Sequence, residues 1–395
     1  MQSHRLIERT RKTAKRTAMN VRAADSLRAF SADAWNRVAV DQPGARYELV
    51  QAIDTNQAEE RLVRYYAVDG GGAYRAIARV VAGPSATRSI LGIVYGRAAR
   101  LLAISRWRQD ALVCGWSLQS RSVLADPQLS QSDGAALVHE ICAAIEADAD
   151  GMPVIFPEVL EDDDCLSRVL VERGYVMAAA RPVAVLDVNW RSLDEYIETL
   201  KRASKGWASA VRNEINRFRK SGAVVEPLSA RDEDYARVCE LLNAHYERLN
   251  GRSPRYLPQM LRAMHTELGD DLVARVSRAA RGGAITGACI GVRSGSDAAI
   301  KWIGIDHRSS GANFTYFNLG YYAMVQELSE LGARRIWFGN AAYDAKIKRG
   351  CRLVECRVFV RAGASSQRAL DRGLFAVQRL WMRRKYARYL TARRT

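Results

Sequence analysis

The densest run of chemically capable side chains lies between Phe338 and Glu355, FGNAAYDAKIKRGCRLVE, where Tyr343, Lys346, Lys348 and Arg349 follow an apolar stretch and a glycine-containing turn. Read as the exit of a strand, this run places a phenol and three cations at the end of a sheet, the edge where α/β proteins usually bind ligands. A cation there can hold a donor phosphate or stabilise the oxyanion of a tetrahedral intermediate. The same residues also suit the solvated face of a short surface helix. Upstream, Asp306 and His307 end an apolar run and can take a proton from an attacking amine if they lie within hydrogen-bond reach of it; a surface turn uses the same residue types. Arg308-Ser309-Ser310-Gly311-Ala312-Asn313 follows directly. Free backbone N–H groups at a helix start suit an anion, and Gly311 lets a phosphate approach closely, although an ordinary capped loop reads the same way. The aromatics beyond it, among them Phe317 and Tyr321, keep helical spacing and read mainly as core, with one or two tyrosines left to line a pocket.

Other chemistries lack their residues. No metal-ligand constellation, phosphate-binding P-loop or G-x-S-x-G elbow occurs, and there are only five histidines, at 4, 139, 245, 265 and 307. Hydrolysis by a metal or a serine triad is therefore not expected. What remains is chemistry without a tightly bound cofactor, in which a bound amine meets a bound activated carbonyl and the protein supplies position and charge.

The elements that must position these residues repeat. Strands are expected at 73–82, 90–94 and 111–116, then a helix at 132–149, a strand from Val154 to Phe156, an acidic helix starting near Asp162, and Arg173-Gly174-Tyr175 leading into a strand through Val183 to Val188. The second half gives strands at 272–277, 284–292 and 298–305, a helix at 313–331, a strand at 335–338, a short helix, and Arg349-Gly350-Cys351 leading into a strand through Phe359. In both halves a long helix precedes a strand, a short helix, an Arg-Gly stop and a closing strand, as an internal duplication would produce. Between them, Ser192 and Glu195 form a capping-box pattern. A second helix follows with Trp207, Val211, Ile215 and Phe218 inward and Arg212, Arg217, Arg219 and Lys220 outward. The expected division is a basic arm over 1–25, a first lobe over 26–188, a second over 189–365 and a basic amphipathic helix over 366–395. The fold class is α/β (α+β), two lobes with mixed, mostly antiparallel sheets flanked by helices.

The chain has 395 residues, 48% hydrophobic and 26% charged, as a globular protein of two or three domains would. Its formal net charge of +17 sits at the ends: residues 1–22 carry +6 and residues 366–395 carry +8. Leu370, Leu374, Val377, Trp381 and Leu390 lie among the arginines of the C-terminal segment. This amphipathic basic pattern suits an RNA backbone, anionic lipid or an acidic carrier protein, or else docks its apolar stripe on the body of the protein. Seven cysteines without a C-x-x-C pair argue against a disulfide framework or a zinc site and favour a reducing compartment, so the expectation is a cytoplasmic protein. No apolar run reaches the length needed to span a bilayer.

Two segments together resemble a known family. LDEYIETLKRASKGWASAVRNEINRFRKSGAVVEPL, over 193–228, is similar to the basic inter-lobe helices of the tandem-GNAT acyltransferases, which include the FemAB-type peptidoglycan aminoacyltransferases and the peptidogalycan-biosynthesis (BioF2-like) acetyltransferases. Tyr343-Asp344-Ala345-Lys346 with Gly350 resembles the family's lysine-containing closing motif. The resemblance spans about residues 70 to 360. It implies two GNAT-like lobes, an acyl-transfer site mainly in the second, and Lys346 at the position of the family's lysine. Against the GNAT pyrophosphate loop, Arg308 and Gly311 match, whereas Asn313 stands where the family has Gly or Ala. The donor that the resemblance implies is thus acyl-CoA or aminoacyl-tRNA, used as co-substrate.

The function expected is amide formation, in natural-product or cell-envelope biosynthesis, by acyl or aminoacyl transfer to an amine of a small molecule or peptide. Lys346, Asp306, His307 and Tyr343 are the catalytic candidates, and Arg308, Gly311, Asn313, Lys348 and Arg349 the donor-binding ones. The basic termini suit tRNA or an acyl-carrier protein. The competing expectation is a non-catalytic RNA-binding or membrane-peripheral protein that kept a GNAT-like fold.

Overall fold

Apolar runs punctuated by glycine and polar turns build two sheets with helices packed between and around them. The computed structural model describes residues 21–56, 62–82, 111–116, 118–251, 255–310, 314–361 and 365–390. The expected strand at 90–94 and the first twenty residues lie outside that description. The first half comprises β1 (Val21–Ala24), α1 (Ala32–Val38), α2 (Tyr47–Thr55), β2 (Leu62–Asp69), β3 (Tyr74–Ala82), β4 (Leu112–Cys114), β5 (Val123–Ala125), α3 (Gln131–Asp148), β6 (Val154–Leu160), α4 (Asp164–Glu172), β7 (Val176–Ala179) and β8 (Val183–Asp187). The second half comprises α5 (Leu193–Ala203), α6 (Lys205–Lys220), β9 (Val224–Pro227), α7 (Asp232–Asn250), α8 (Pro258–Leu268), β10 (Leu272–Arg278), β11 (Ile285–Ser294), β12 (Asp297–Ile305), α9 (315–330), β13 (Arg335–Gly339), α10 (Tyr343–Ile347), β14 (Arg352–Val354), β15 (Cys356–Arg361) and α11 (Ser365–Leu390). A one-turn helix, His307–Ser310, follows β12.

The repeated order expected from the sequence is present. In the first lobe β4 and β6 pair in parallel across α3; in the second β12 and β13 pair in parallel across α9. Both Arg-Gly stops work through the glycine: Gly174 and Gly350 take φ of 80° and 83°, a left-handed conformation that ends a helix at little cost for a residue without Cβ. The Ser192 cap also forms, with the reciprocal bond shifted one residue back. Its hydroxyl accepts from the Glu195 N–H at 3.2 Å, and the Glu195 carboxylate accepts from the Arg191 N–H at 2.7 Å.

The sheets do not divide where the chain does. The first runs β1-β2-β3-β4-β6-β15-β7, with β5 also on β3, and the second runs β14-β8-β13-β12-β11-β10-β9. β8, from the first half, thus lies between β13 and β14, and β15, from the second, lies between β6 and β7. A cut near residue 188 leaves each sheet without an inner strand. The exchange is held at its crossing, where the Ala180 N–H donates to the Cys356 carbonyl at 2.9 Å. The two lobes accordingly share one apolar core, in which Ile155, Val176 and Val358 of the first sheet meet Val185, Ile290 and Trp302 of the second, with α7 and α8. The outer face of the second sheet is covered by α5, α6 and α9, and that of the first by α3 and α4. At the N-terminal end, Val21–Ala24 is an edge strand on β2, which takes those residues out of the expected arm.

The C-terminal helix reverses the expected docking. Among the described side chains of α11, Phe375, Met382 and Tyr386 are the buried ones, whereas Leu374, Val377 and Trp381 face solvent. The side chain of Gln378 exchanges two hydrogen bonds with the backbone of Ala179, at 2.9 and 2.7 Å, covering the edge of β7. The helix has two apolar stripes, and it is the one with Tyr386 and Tyr389 beside Tyr343 that packs.

Candidate active site

The site follows from a parting of strands. β12 and β13 pair only through Asp297–Ala299 and Arg335–Trp337, yet β12 continues to Ile305 and β13 to Gly339. Beyond the pairing, β12 keeps β11 as its partner, and β13 bulges at Phe338 towards β8. The carboxyl ends of the two strands therefore open at one edge of the sheet. α9 crosses this opening with its helical turn widened: Asn318–Ala323 is a π-type turn, a feature frequent at functional sites.

Lys346 sits at the end of β13. It is 5% exposed, and its ammonium donates to the carbonyls of Phe338 and, at 3.2 Å, Gly339. Burial pushes the amine down to about 8. The two carbonyls favour the ammonium, so at neutral pH the residue is a desolvated cation close to its own titration point. Tyr343 is buried beside it, but its hydroxyl is directed at the carbonyls of Pro182, 2.7 Å, and Asn340, 2.8 Å, and burial raises its pKa. Its proton thus ties the β13–α10 turn to the lead-in of β8.

Arg349 departs from expectation. Its guanidinium pairs with Glu214 of α6 at 2.6 Å, receives the Phe317 ring at 3.5 Å and donates to Tyr322 and to the Ala345 carbonyl. Tyr322 in turn donates to Glu214. With all three nitrogens engaged inside the protein, Arg349 braces α10 against α6 and α9 and is not presented to a donor. Lys348 is exposed. Arg308 is exposed too, its N–H capped by Asp306 at 3.0 Å; Gly311 and Asn313 lie outside the described residues.

Asp306 and His307 stand at the end of β12, on the same edge as Lys346. Asp306 is ion-paired with Arg237 at 3.3 Å, which holds it in place. His307 is exposed and stacks on His245 of α7, centroids 5.9 Å apart. Desolvation, partial at His307, and the Arg248 cation lower the pKa of both, that of His245 to about 4, which favours the neutral ring at pH 7. His245 continues the stack onto Tyr316 at 6.5 Å, Tyr316 contacts Tyr321 at 6.2 Å, and Tyr321 lies flat on Phe338 at 4.7 Å. An aromatic wall thus runs from the histidines to the strand end that holds Lys346.

Sequence reasoning left two neighbours of this wall without a role. His245 gave only the signal of being one of five histidines. Glu158 of β6 reaches across from the first lobe and accepts from the Asn340 side chain at 2.8 Å; its backbone takes φ 53° and burial raises its pKa. A glutamate in the apolar run VIFPEVL was the available signal. Among the described residues, no group of three His, Cys, Asp or Glu is placed to hold a metal, and no helix is long and apolar enough to cross a membrane.

Residues 208–347, which include the parted strands and Lys346, match the family model described as an acetyltransferase (GNAT) domain. None of the curated proteins matches the sequence. By structure, the chain is similar to FemX, with a TM-score of 0.54 at 12% identity over 86% of this chain and 97% of FemX. It is also similar to the C-terminal domain of a protein described as a lysylphosphatidylglycerol synthetase from Agrobacterium fabrum, with a TM-score of 0.53 at 13% identity over 89% of this chain and 95% of that one. A conserved protein of unknown function from Bacteroides thetaiotaomicron gives 0.53 at 13% identity, over 86% of this chain and 99% of that one. Residues 208–347 of the second lobe thus match a GNAT domain, set in a two-lobed fold similar to that of FemX.

Proposed function

We propose that the protein is an N-acyltransferase that moves an acyl or aminoacyl group from an activated donor, acyl-CoA or aminoacyl-tRNA, to an amine. The observation that carries this reading is the desolvated Lys346 ammonium at the parted ends of β12 and β13. The amine attacks the donor carbonyl, the carbonyl π electrons move onto oxygen, and Lys346 stabilises that oxyanion where water is excluded. The neutral His307, backed by His245, takes the proton that the amine loses. Collapse of the intermediate re-forms the carbonyl, expels the thiolate or ribose oxygen, which takes up a proton, and leaves an amide. Glu158 fixes Asn340 and hence the turn carrying Lys346. FemX and the lysylphosphatidylglycerol synthetase domain share the fold.

The first test is stabilisation of the purified protein by acetyl-CoA, longer acyl-CoAs and a mixed aminoacyl-tRNA pool, because a ligand held by the native state raises the unfolding midpoint. A rise with one donor class supports the reading and names the donor. No rise with any of them contradicts it.

A further inference from the structure

The outer face of α11 is apolar where a docked surface helix is ordinarily polar. Leu374, Val377, Leu380 and Trp381 are 37%, 70%, 54% and 54% exposed, all within eight residues. Arg372, Arg383, Arg384 and Lys385 surround them, exposed, and the Lys385 ammonium rests over the Trp381 ring at 4.7 Å. Large apolar side chains scattered singly on a surface need no explanation, but a contiguous set rimmed by one sign of charge marks a contact site. The inner stripe is already used against β7 and Tyr343, so this second stripe has no packing task among the described residues.

We propose that the outer face of α11 lies on an anionic bilayer surface. Leu374, Val377, Leu380 and Trp381 enter the boundary between headgroups and acyl chains, and the arginines and Lys385 pair with lipid phosphates. The charge of +8 over residues 366–395 complements a surface rich in anionic lipid. A nucleic-acid backbone would satisfy the arginines and leave the aliphatic side chains and the indole in water, so a bilayer accounts for both halves of the pattern. The inner face of the same helix touches the candidate site: Tyr386 and Tyr389 pack on Tyr343 at 5.4 and 5.7 Å, and the Tyr389 hydroxyl donates to Asp344 at 3.0 Å. Seating α11 on a bilayer therefore brings α10 to within about one helix diameter, ~10 Å, of the headgroups.

Co-sedimentation of the full chain with vesicles of phosphatidylcholine alone, and of phosphatidylcholine with about one-third phosphatidylglycerol, tests it. The protein is expected to partition onto the anionic vesicles only. Val377→Glu with Trp381→Glu, both at exposed positions and checked for native circular dichroism, is expected to weaken partition at least ~10-fold, and Arg383→Ser with Arg384→Ser to weaken it several-fold. Failure to bind anionic vesicles, or partition unchanged in the Val377→Glu/Trp381→Glu variant, overturns the proposal. So does tRNA binding that is lost in the double-serine variant and kept in the double-glutamate variant without any vesicle binding, since that places nucleic acid on this face.

Discussion

In the first lobe, the parallel pair β4 and β6 is bridged by α3, an unbroken helix that buries Gly134, Val138, Ile141, Cys142, Ala144 and Ile145. In the second, the pair β12 and β13 is bridged by α9, whose middle is a π turn burying Asn318, Leu319, Gly320, Tyr321 and Tyr322. The Arg-Gly stops differ in the same sense. Arg173 pairs at 2.6 Å with Glu146 on the bridging helix of its own lobe, whereas Arg349 pairs at 2.6 Å with Glu214 on α6 and is the more deeply buried. Three residues before each arginine stands Leu170, fully buried in an apolar core, or Lys346, buried against carbonyls. Beyond the parallel pair the first lobe has Gly115 and Trp116, and the second Asp306 and His307. One backbone plan thus serves packing in one lobe and, in the other, buries Lys346 and Arg349 and sets Asp306 and His307 at the end of a strand.

The two lobes differ most in the expected cost of losing the arginine. Arg349→Ala leaves Glu214 buried with only the Tyr322 hydroxyl as partner and is expected to cost about 3–5 kcal/mol in urea unfolding; Arg173→Ala, where Glu146 keeps its ion pair with Arg361, about 1.5–3 kcal/mol. Equal costs would remove the asymmetry of the two stops. His307→Ala is expected to lower turnover roughly 100-fold at unchanged stability, the loss typical of a general base, and a loss under about threefold would take His307 out of the proton path.

The pH dependence sharpens the same contrast. The Lys346 ammonium titrates at about 8 in the folded protein against an ordinary 10.5. An oxyanion held by it is therefore stabilised below that value, and turnover falls as pH rises through 8, while the acid limb lies below the ordinary 6.5 of histidine because His307 is shifted down. Stability moves oppositely. Between 8 and 10.5 the unfolded chain binds the extra proton, so the contribution of Lys346 to native stability rises with pH across that window. The difference in urea midpoint between the native protein and Lys346→Met, followed from pH 7 to 10, reads it out. Smallest of all, Leu170→Met conserves volume in an apolar site and should cost under about 1.5 kcal/mol with no change in turnover.

Much of this plan was legible in the residues. The bridging helices, the Ser192 cap and the Arg-Gly stops rest on local signals, hydrophobic period, caps and a left-handed glycine, and they stand within a few residues of expectation. The strand exchange was not legible. Val183 to Leu186 and the run from Val358 to Val360 are buried throughout, so no alternation tells which sheet they join. The docking face of α11 was misassigned because Leu374, Val377 and Trp381 and the set Phe375, Met382 and Tyr386 both keep helical spacing, and only the position of the protein body chooses between them. Lys346 could be singled out from its own segment. The contacts of His245 with His307 and of Glu158 with Asn340 join residues far apart in the chain, and such contacts leave no local pattern.

The central claim is that the second lobe alone holds the chemistry and that its desolvated lysine carries it. The most direct measurement is the turnover of amide formation by Lys346→Met, with whichever donor stabilises the native protein, beside its urea midpoint. A methionine of similar length removes the charge and fills the site, so the account expects turnover to fall about 100- to 1,000-fold, as for loss of an oxyanion donor, while the protein stays folded. Turnover within about threefold of the native protein, in a folded variant, would contradict it.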